Sequence, residues 1–324
     1  MSKINVVIAA MAVMALFSCV KEVDESEKDE LLRLEAYMSL YGSGFTQQPS
    51  GLYSLINEQG TGAIPANGNY ILYKYEGKNL DGNVFETSNT QLAMLHDIYS
   101  VTNRYVSRFI EYKTTASASM SGLTEGISYL KEGGKATFIM PSSLAYGGVS
   151  YTSLPAYSSI IYSVELEKVV TDPAAYELEN IHSYLDTFPN LVISEIFQDS
   201  VYFLAKIEGN GDLFVKDNEV EVNYIGSFMD GWVFDTNIDS VARVHNLYSS
   251  SKKYEPLKFV VDGNQVIAGF SRAVKHLRRE GYAKVLLPSN VAYKTTGSGN
   301  IRPYEPIIFE IFVKTIVPVV TPTK

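Results

Sequence analysis

One pattern occurs twice in this chain of 324 residues, and it determines how the chain is divided. The stretch Tyr75-x-Gly77-x-x-x-Asp81-Gly82-x-Val84-Phe85-Glu86 returns 149 residues later as Tyr224-x-Gly226-x-x-x-Asp230-Gly231-x-Val233-Phe234-Asp235. A second block, Pro141-Ser142-x-x-Ala145-Tyr146, returns 147 residues later as Pro288-Ser289-x-x-Ala292-Tyr293. Solenoid repeats are only about 20–50 residues long, so two blocks in the same order at nearly the same offset indicate a duplicated domain.

The N-terminus has the features of a targeting segment and is kept out of the fold. Lys3 precedes an apolar run over residues 6–17, which is shorter than the roughly 20 residues that span a bilayer. The run ends in Leu16-Phe17-Ser18-Cys19, which resembles the lipobox of bacterial lipoproteins; Cys19 is the only cysteine. The resemblance implies cleavage before Cys19, its lipidation and attachment to the bacterial cell envelope, at the outer membrane. The alternative is an ordinary signal segment with an unpaired thiol.

Helical patterns precede each copy of the repeat and suggest the domain boundaries. Asp172-Pro173 favours a helix start, since Asp caps helices and Pro suits the first turn. Tyr37 and Tyr184 are 147 residues apart, so the helix belongs to the repeat, and we expect a spacer rather than a dimerisation element. The expected segments are a signal peptide (1–18), an acidic tether with a short helix (19–48), domain 1 (49–171), a helical linker (172–199), domain 2 (200–317) and a tail (318–324).

Composition and charge exclude several classes of function. Hydrophobic residues make up 46% and charged residues 19% of the chain, which is typical of globular proteins. The net charge is −9 and the basic residues form no long block, so nucleic-acid binding is disfavoured. The four histidines are isolated and lack the spacing of zinc ligands. We therefore expect no metal site and no cofactor.

Alternating apolar segments in each repeat predict strands, and one short apolar-faced helix follows them. The Asp81-Gly82 and Asp230-Gly231 pairs are hairpin-turn signals. The predicted strands are 52–57, 70–75, 135–140 and 160–169 in the first repeat, and 201–207, 220–225, 283–287 and 307–316 in the second. Leu123, Ile127 and Leu130 mark the first helix, and Phe270, Val274 and Leu277 mark the second. The predicted class is α+β, with two domains that each curl an antiparallel sheet around one short helix.

Each repeat resembles an FKBP-type peptidyl-prolyl isomerase domain, which has an aromatic pocket between helix and sheet. The second repeat carries the pattern more fully, although Phe270 stands where the family often has Trp. The resemblance implies a catalytic set and a substrate-binding set. The catalytic set is Tyr224, Phe234, Asp235, Tyr293 and Phe309. The substrate-binding set is Phe259, Val266, Ile267, Phe270 and Ile301.

Prolyl isomerisation needs no nucleophile, because its barrier is amide resonance of roughly 18–20 kcal/mol. A twisted amide is less charge-separated, and a dry aromatic pocket stabilises it relative to the planar form. The resemblance implies that the Ile267 N–H and the Tyr293 hydroxyl bind substrate carbonyls. It also implies that Asp235, oriented by Tyr224, complements the twisted amide.

The first repeat departs from the pattern at its pocket. Its equivalents are Tyr75, Phe85, Glu86, Met120, Leu123, Tyr146, Leu154 and Tyr162. Glu86 replaces the usual Asp, and Ser119-Met120-x-Gly122-Leu123 replaces the aliphatic–aromatic floor. Phe109 or Tyr112 is the candidate for the aromatic residue before the helix. We expect the first pocket to be weaker, or adapted to bind rather than catalyse.

The favoured hypothesis is an envelope isomerase, anchored through its N-terminal lipid, that acts on proline-containing polypeptide clients during folding of exported proteins. Activity is expected mainly in domain 2. The second hypothesis is a non-catalytic chaperone or protein-binding lipoprotein that holds clients in the same grooves. The third is a surface receptor whose tyrosine-rich sheets bind a glycan or a protein.

Overall fold

The computed structural model describes residues 25–114, 120–188, 191 and 197–317, and these form two domains of the same design. In domain 1 the strands are β1 (Thr46–Gln47), β2 (Tyr53–Glu58), β3 (Tyr70–Asn79), β4 (Val84–Thr87), β5 (Arg108–Glu111), β6 (Lys135–Met140) and β7 (Ile160–Val170). All pairs are antiparallel in the order β1-β2-β6-β7-β3-β4, and β5 extends the outer edge of β3 beside β4.

Domain 2 repeats this sheet strand for strand. Its strands are β8 (Phe197–Gln198), β9 (Val201–Ile207), β10 (Glu219–Ser227), β11 (Val233–Thr236), β12 (Leu257–Val260), β13 (Tyr282–Leu287) and β14 (Ile307–Val317). The order is β8-β9-β13-β14-β10-β11, with β12 on the free edge of β10. The predicted strands and the α+β class are confirmed in both copies.

Four short helices connect the strands. They are α2 (Thr90–Leu95) and α3 (Ser121–Ile127) in domain 1, and α5 (Asp239–Val244) and α6 (Ala268–Val274) in domain 2. The predicted helices are α3 and α6, which pack on the inner face of each sheet and help to form its main core. The helices α2 and α5 were not predicted, because each has only six residues and too little apolar periodicity to detect.

The helices that precede each sheet pack on its outer face and are components of their domains. They are α1 (Glu25–Tyr41) and α4 (Pro173–Leu185). Leu34 packs against Ile139 and Ile161, while Ile181 packs against Leu286 and Ile308. The sequence analysis predicted a spacer here, and the structure shows that each of these helices also packs on the sheet that follows it. The Asp172 side chain caps α4, as expected, by accepting bonds from the N–H groups of residues 174 and 175.

A buried glutamate fastens each of these helices to its domain. Glu177 accepts bonds from the backbone N–H and the hydroxyl of Ser289, at 2.5 and 2.6 Å. Glu30 accepts bonds from the backbone N–H and the hydroxyl of Ser142, both at 2.5 Å. The serines belong to the repeated Pro-Ser block, so that block marks where the outer helix attaches. Burial raises the pKa of Glu177 although the Ser289 bonds oppose the shift.

Candidate active site

The second domain holds a cavity of about 470 Å³ between α6, the inner face of the sheet and the loop after β13. Tyr224 projects from β10 and Phe309 from β14, while Phe270 comes from the first turn of α6. The ring of Phe270 meets that of Phe309 edge-on at 5.1 Å and that of Tyr224 at 6.0 Å. Edge-to-face contacts of this kind fix ring orientation and add to the stability of a buried cluster. The result is a concave site with rigid aromatic walls.

The glycine of the repeated Tyr-x-Gly motif is required by this packing. Gly226 lies opposite Phe309 in the β10–β14 pair. A Cβ atom on Gly226 would lie 2.8 Å from the Phe234 ring and 2.9 Å from the Phe309 ring, closer than real side chains allow. Gly226 therefore lets these two rings, which meet edge-on, approach the strand closely. The turn glycine Gly231 has φ +86°, the left-handed conformation that the hairpin signal predicted.

Asp235 is the charged group at the mouth of the pocket. The Tyr224 hydroxyl donates to its Oδ2 at 2.6 Å, as expected, and Lys252 Nζ contacts its Oδ1 at 2.6 Å. Burial, with the hydrogen bond to Asp235, raises the pKa of Tyr224. The Asp235 side chain remains 44% exposed, so its charge faces both the pocket and solvent. Lys252 was missed because one lysine in a polar loop gives no sequence signal.

Two hydrogen-bond donors of the pocket have no acceptor among the residues that the structure describes. Within the described residues, nothing bonds the Tyr293 hydroxyl, and burial raises its pKa so that the proton is retained. Across the same part of the chain, the backbone N–H of Ile267 also makes no bond, since it precedes the first turn of α6. Both groups border the cavity. They can therefore donate to carbonyl oxygens of a bound peptide.

The structure brings all ten residues predicted for the second site into one region. Seven border the cavity: Tyr224, Asp235, Val266, Ile267, Phe270, Tyr293 and Phe309. The other three, Phe234, Phe259 and Ile301, pack in the aromatic cluster around it. Three residues that were not predicted, Leu257, Asn264 and Gln265, also border the cavity. These three lie on β12 and the loop after it, whose course depends on the fold.

In the first domain the equivalent polar groups bond to one another. Glu86 is only 9% exposed and accepts a bond from the Tyr146 hydroxyl at 2.8 Å. Arg108 pairs with Glu86 at 2.6 Å, and its guanidinium lies 4.1 Å from the centre of the Tyr75 ring. Burial, then the charge of Glu86, raises the pKa of Tyr146. Glutamate is one methylene longer than aspartate, and here its carboxylate reaches the rim tyrosine that stays free in domain 2.

A tyrosine in the loop after β6 covers the first pocket. Tyr151 stacks on Tyr146 at 4.2 Å with 9° between the rings, and it meets Phe85 edge-on at 6.2 Å. The repeat places Ser298 at the equivalent position of domain 2, 147 residues later. Both residues begin the same short bridge, Tyr151 with Leu154 and Ser298 with Ile301. A ring therefore lies over Tyr146 and Phe85 in domain 1, at a position where domain 2 has the smaller Ser298. A cavity of about 470 Å³ remains beside α3, lined by Arg108, Tyr112, Met120 and Leu123 among others.

The structure locates the remaining predicted residues of domain 1. Phe85, Met120, Leu123, Leu154 and Tyr162 are buried in its core, with Tyr75 and Tyr146 partly buried against it. Tyr112 joins this cluster and is the aromatic residue before the helix, whereas Phe109 packs outward on Tyr70 and Tyr176. The Met120 backbone, at φ −140° and ψ 80°, differs from that of Ile267, at −62° and 148°. The helix N-terminus of the first site is therefore oriented differently.

The described residues contain no group of three or more His, Cys, Asp or Glu side chains that could hold a metal ion. Among them, no helix has the length and apolar character to cross a membrane. Cys19 and the apolar run before it lie outside the described residues.

The duplicated α+β fold with its aromatic pocket defines a class of prolyl isomerase domains. The chain belongs to the FKBP-type peptidyl-prolyl cis-trans isomerase family, whose sequence model matches residues 62–167 and 211–314. The match covers both repeats, so the resemblance stated for each of them is confirmed.

Similar curated proteins carry the same activity in their names. FkpA of Buchnera aphidicola (from Schizaphis graminum), an FKBP-type peptidyl-prolyl cis-trans isomerase, is 28% identical over 152 residues, which cover 45% of this chain and 52% of that protein. FkpA of Escherichia coli K12 is 27% identical, covering 41% and 43%. Human peptidyl-prolyl cis-trans isomerase FKBP10 is 24% identical, covering 76% of this chain and 34% of that one. The chain thus spans about half the length, or less, of these relatives.

Two solved structures of FKBP-type proteins match parts of this chain. The crystal structure of FkpA from Escherichia coli is 22% identical, covers 52% of this chain and 74% of that chain, and has a TM-score of 0.37. The three FKBP domains of wheat FKBP73 are 20% identical, cover 83% and 96%, and have a TM-score of 0.30.

Proposed function

We propose that this protein accelerates cis/trans isomerisation of X–Pro bonds in polypeptide clients, mainly through its second domain. The observation that carries the proposal is the open second pocket, with its aromatic walls and its two unoccupied donors, Ile267 N–H and Tyr293 hydroxyl. In the first domain the same tyrosine position is bonded to Glu86 and covered by Tyr151. Domain 2 would therefore carry most of the isomerase activity.

The geometry supports catalysis by binding a twisted amide. The prolyl ring would lie in the cavity against the apolar wall that Phe309 and Phe270 form together, their rings in edge-on contact at 5.1 Å. Twisting removes amide resonance and leaves a less polar bond, which apolar walls tolerate better than the planar amide. The Ile267 N–H and the Tyr293 hydroxyl would hold the flanking carbonyls, fixing the chain on both sides of the rotating bond. No proton or electron pair leaves the substrate.

Asp235 would act electrostatically rather than as a base. Its carboxylate is held by Tyr224 and Lys252 at the pocket mouth, where the substrate amide would rotate. A fixed charge costs no reorganisation when the amide twists, which is how preorganised groups favour a transition state. The exposed side of Asp235 and its pairing with Lys252 weaken this field, so we assign it less weight than the aromatic walls.

For the cellular setting we propose the bacterial envelope, with attachment through lipid on Cys19. The support is the Leu16-Phe17-Ser18-Cys19 sequence together with the acidic stretch that follows it. Two acyl chains are needed for stable anchoring, and lipidation of the lipobox type would supply them. Clients would then be exported proteins that contain slowly isomerising prolines. Growth with labelled palmitate tests this, since a Cys19→Ser chain should lose both label and membrane association.

The isomerase proposal is tested with the chain lacking residues 1–19, which keeps every described residue. Exchange between the cis and trans forms of a proline-containing model peptide is measured by NMR. We expect exchange to accelerate with the wild-type chain, to slow about tenfold with Asp235→Asn, which corresponds to about 1.4 kcal/mol, and to be unchanged with the matched Glu86→Gln. Glu86 occupies the same position of the first repeat.

Two other results have clear meanings. No acceleration by the wild-type chain contradicts the isomerase proposal. In that case, suppression of client aggregation that persists in Asp235→Asn would favour the non-catalytic chaperone. Equal losses of isomerase activity with Asp235→Asn and Glu86→Gln would show that both domains are active. This would contradict the proposal that domain 2 carries most of the activity.

A further inference from the structure

A segment of the first domain is bonded to the loop that forms the rim of the second pocket. We call residues 102–107 the docking segment and residues 294–306 the rim loop. The side-chain N–H of Asn300 donates to the backbone carbonyl of Thr102 at 3.2 Å, and the Arg302 guanidinium donates to that of Ser107 at 3.0 Å. Between them lies Ile301, which is buried in the pocket cluster. The rim loop is thus held on both sides of a predicted pocket residue.

Arg104 is the centre of this contact. Its side chain is 9% exposed; Nε and Nη2 donate to Asp230 Oδ2 at 3.0 and 2.7 Å, and Nη1 donates to Glu305 Oε1 at 2.6 Å. Glu305 is 5% exposed and also accepts bonds from the backbone N–H and guanidinium of Arg302, at 2.8 and 2.9 Å. Charge-assisted bonds of this kind are stronger than neutral ones. A carboxylate buried this deeply depends on its cationic partners.

Arg104 also reaches the pocket through aromatic rings. Its guanidinium lies 3.7 Å from the centre of the buried Phe228 ring. Phe228 contacts Phe234 at 5.0 Å, and Phe234 meets Phe309 edge-on at 5.8 Å. The guanidinium is therefore connected to Phe309, at the far wall of the pocket, by three successive contacts through two intervening rings. Close-packed interiors transmit small displacements of this kind.

The receiving surface exists on the second domain alone. At the repeat positions of Phe228 and Glu305 the first domain has Asn79 and Ser158, which supply neither a ring nor a charge. The second domain carries the exposed Lys253 at the repeat position of Arg104. Of the residues that contact Arg104, Asp230 has the equivalent Asp81 in the first domain, whereas Phe228 and Glu305 distinguish the copies.

We propose that the first domain positions the pocket of the second, with Arg104 as the positioning residue. The inference rests on the proposed isomerase function of domain 2. Arg104 would fix the rim loop through Glu305 and the Phe234 wall through Phe228, so that the site is already shaped for the twisted amide. Tyr304 of the rim loop supports this by meeting Tyr70 of the first domain edge-on at 5.3 Å. The covered first domain would thus contribute to catalysis without binding substrate.

The test compares three variants of the chain lacking residues 1–19. Arg104→Ala removes the contact, Arg104→Lys keeps the charge without the two-pronged geometry, and Arg243→Ala is the matched control. Arg243 likewise lies over a ring, 3.6 Å from the centre of Tyr248, and pairs with Asp239, but on the exposed surface. We expect kcat/KM to fall about tenfold with Arg104→Ala, mainly through kcat. Arg104→Lys should recover part of this loss, and Arg243→Ala should have no effect.

Trp232 supplies an independent readout of docking. It is the single tryptophan of the chain and packs on Phe228 at 5.9 Å. Its emission should therefore shift with Arg104→Ala and stay constant with Arg243→Ala. If Arg104→Ala unfolds the second domain, kcat/KM and Trp232 emission are measured in Arg104→Lys and Asn300→Ala instead, since each of these removes only part of the contact.

The possible outcomes separate the two proposals. A shifted Trp232 emission with full kcat and KM in Arg104→Ala would overturn the positioning role, as would full activity in both milder variants. An unshifted emission would mean that the domains do not dock through Arg104. An inactive wild-type chain would refute the isomerase proposal, and the positioning of a catalytic pocket with it, while Trp232 would still report docking.

Discussion

The two pockets occupy the same positions of the same sheet, yet their polar groups are used differently. In domain 1, Glu86 is 9% exposed and bonds Tyr146 and Arg108. In domain 2, Asp235 is 44% exposed and leaves Tyr293 free. Two changes account for the difference. Glu86 is one methylene longer than Asp235, and the loop after β6 carries the Tyr151 ring where domain 2 has Ser298. The comparison teaches that duplication conserved the scaffold while short side-chain changes separated the sites, because function depends on the site rather than on the fold.

The largest effect should come from the wall of the second pocket. Phe309→Leu should lower kcat/KM about 100-fold, or about 2.7 kcal/mol, because the aromatic face that replaces water around the twisted amide is lost. Leucine retains most of the volume, so the domain should stay folded. The isomerase assay measures kcat/KM, and a thermal melt shows whether the domain stays folded.

Tyr162→Phe is the matched control for that change. Tyr162 faces Gly77 as Phe309 faces Gly226, and its hydroxyl lies 3.3 Å from Arg108. Removing this hydroxyl should leave isomerase activity unchanged. A comparable loss in both variants would contradict the assignment of catalysis to the second domain.

Covering the second pocket should give the next largest effect. Ser298→Tyr places a ring where Tyr151 covers Tyr146, and we expect kcat/KM to fall about tenfold, mainly through KM, because the entering peptide must displace the ring. The position is exposed, so the fold should tolerate the change. Ser298→Ala should behave as wild type. Full activity in Ser298→Tyr would show that the covering ring does not explain the difference between the pockets.

Opening the first pocket is the reciprocal experiment. Tyr151→Ser with Glu86→Asp should release Tyr146 and uncover Phe85. In an Asp235→Asn background, which weakens the second site, we expect about a threefold gain in kcat/KM. The gain is smaller than the reciprocal loss because the Met120 backbone still differs from that of Ile267. Tyr151→Ser and Glu86→Asp, each measured alone in the same background, show whether the covering ring or the Glu86–Tyr146 bond lowers activity more. If the double change gives no gain in kcat/KM, the conformation of the helix N-terminus at Met120 is what limits the first pocket.

The smallest effect concerns the glutamate that attaches the outer helix of the second domain. Burial raises the pKa of Glu177 above its ordinary value of 4.5, so the folded state binds a proton more tightly than the unfolded state. This contribution to stability is complete below pH 4.5 and is lost as the pH rises through the raised pKa. The free energy of unfolding should fall over that window with a slope of at most about 1.4 kcal/mol per pH unit.

Denaturant titrations across that pH window measure the slope. In Glu177→Gln this part of the pH dependence should disappear, since glutamine does not titrate. Glu179→Gln, an exposed change on the same helix, serves as the control and should retain it. A slope that survives in Glu177→Gln would assign the pH dependence to another group.

Much of the fold followed from local sequence signals. Alternating apolar residues predicted eight long strands, the Asp-Gly pairs predicted both hairpin turns, and Asp172 predicted a helix cap. These features depend on neighbours within a few residues, so the sequence displays them directly. The short helices α2 and α5 and the three further residues that border the second cavity were missed, because their conformation is set by the sheet around them.

The sequence by itself determined that the chain is a duplicated FKBP-type protein, and it predicted seven of the residues that border the second cavity. It could not show that Glu86 bonds Tyr146, that Tyr151 covers the first pocket, or that Glu30 and Glu177 are buried. Nor could it show that Arg104 reaches Glu305, 201 residues away along the chain. Only the tertiary structure decided these contacts. The energies of these contacts depend on burial and on distances between side chains that are remote in sequence. From its local sequence alone, a single charged residue is expected to be exposed to solvent, and only the fold shows that it is buried.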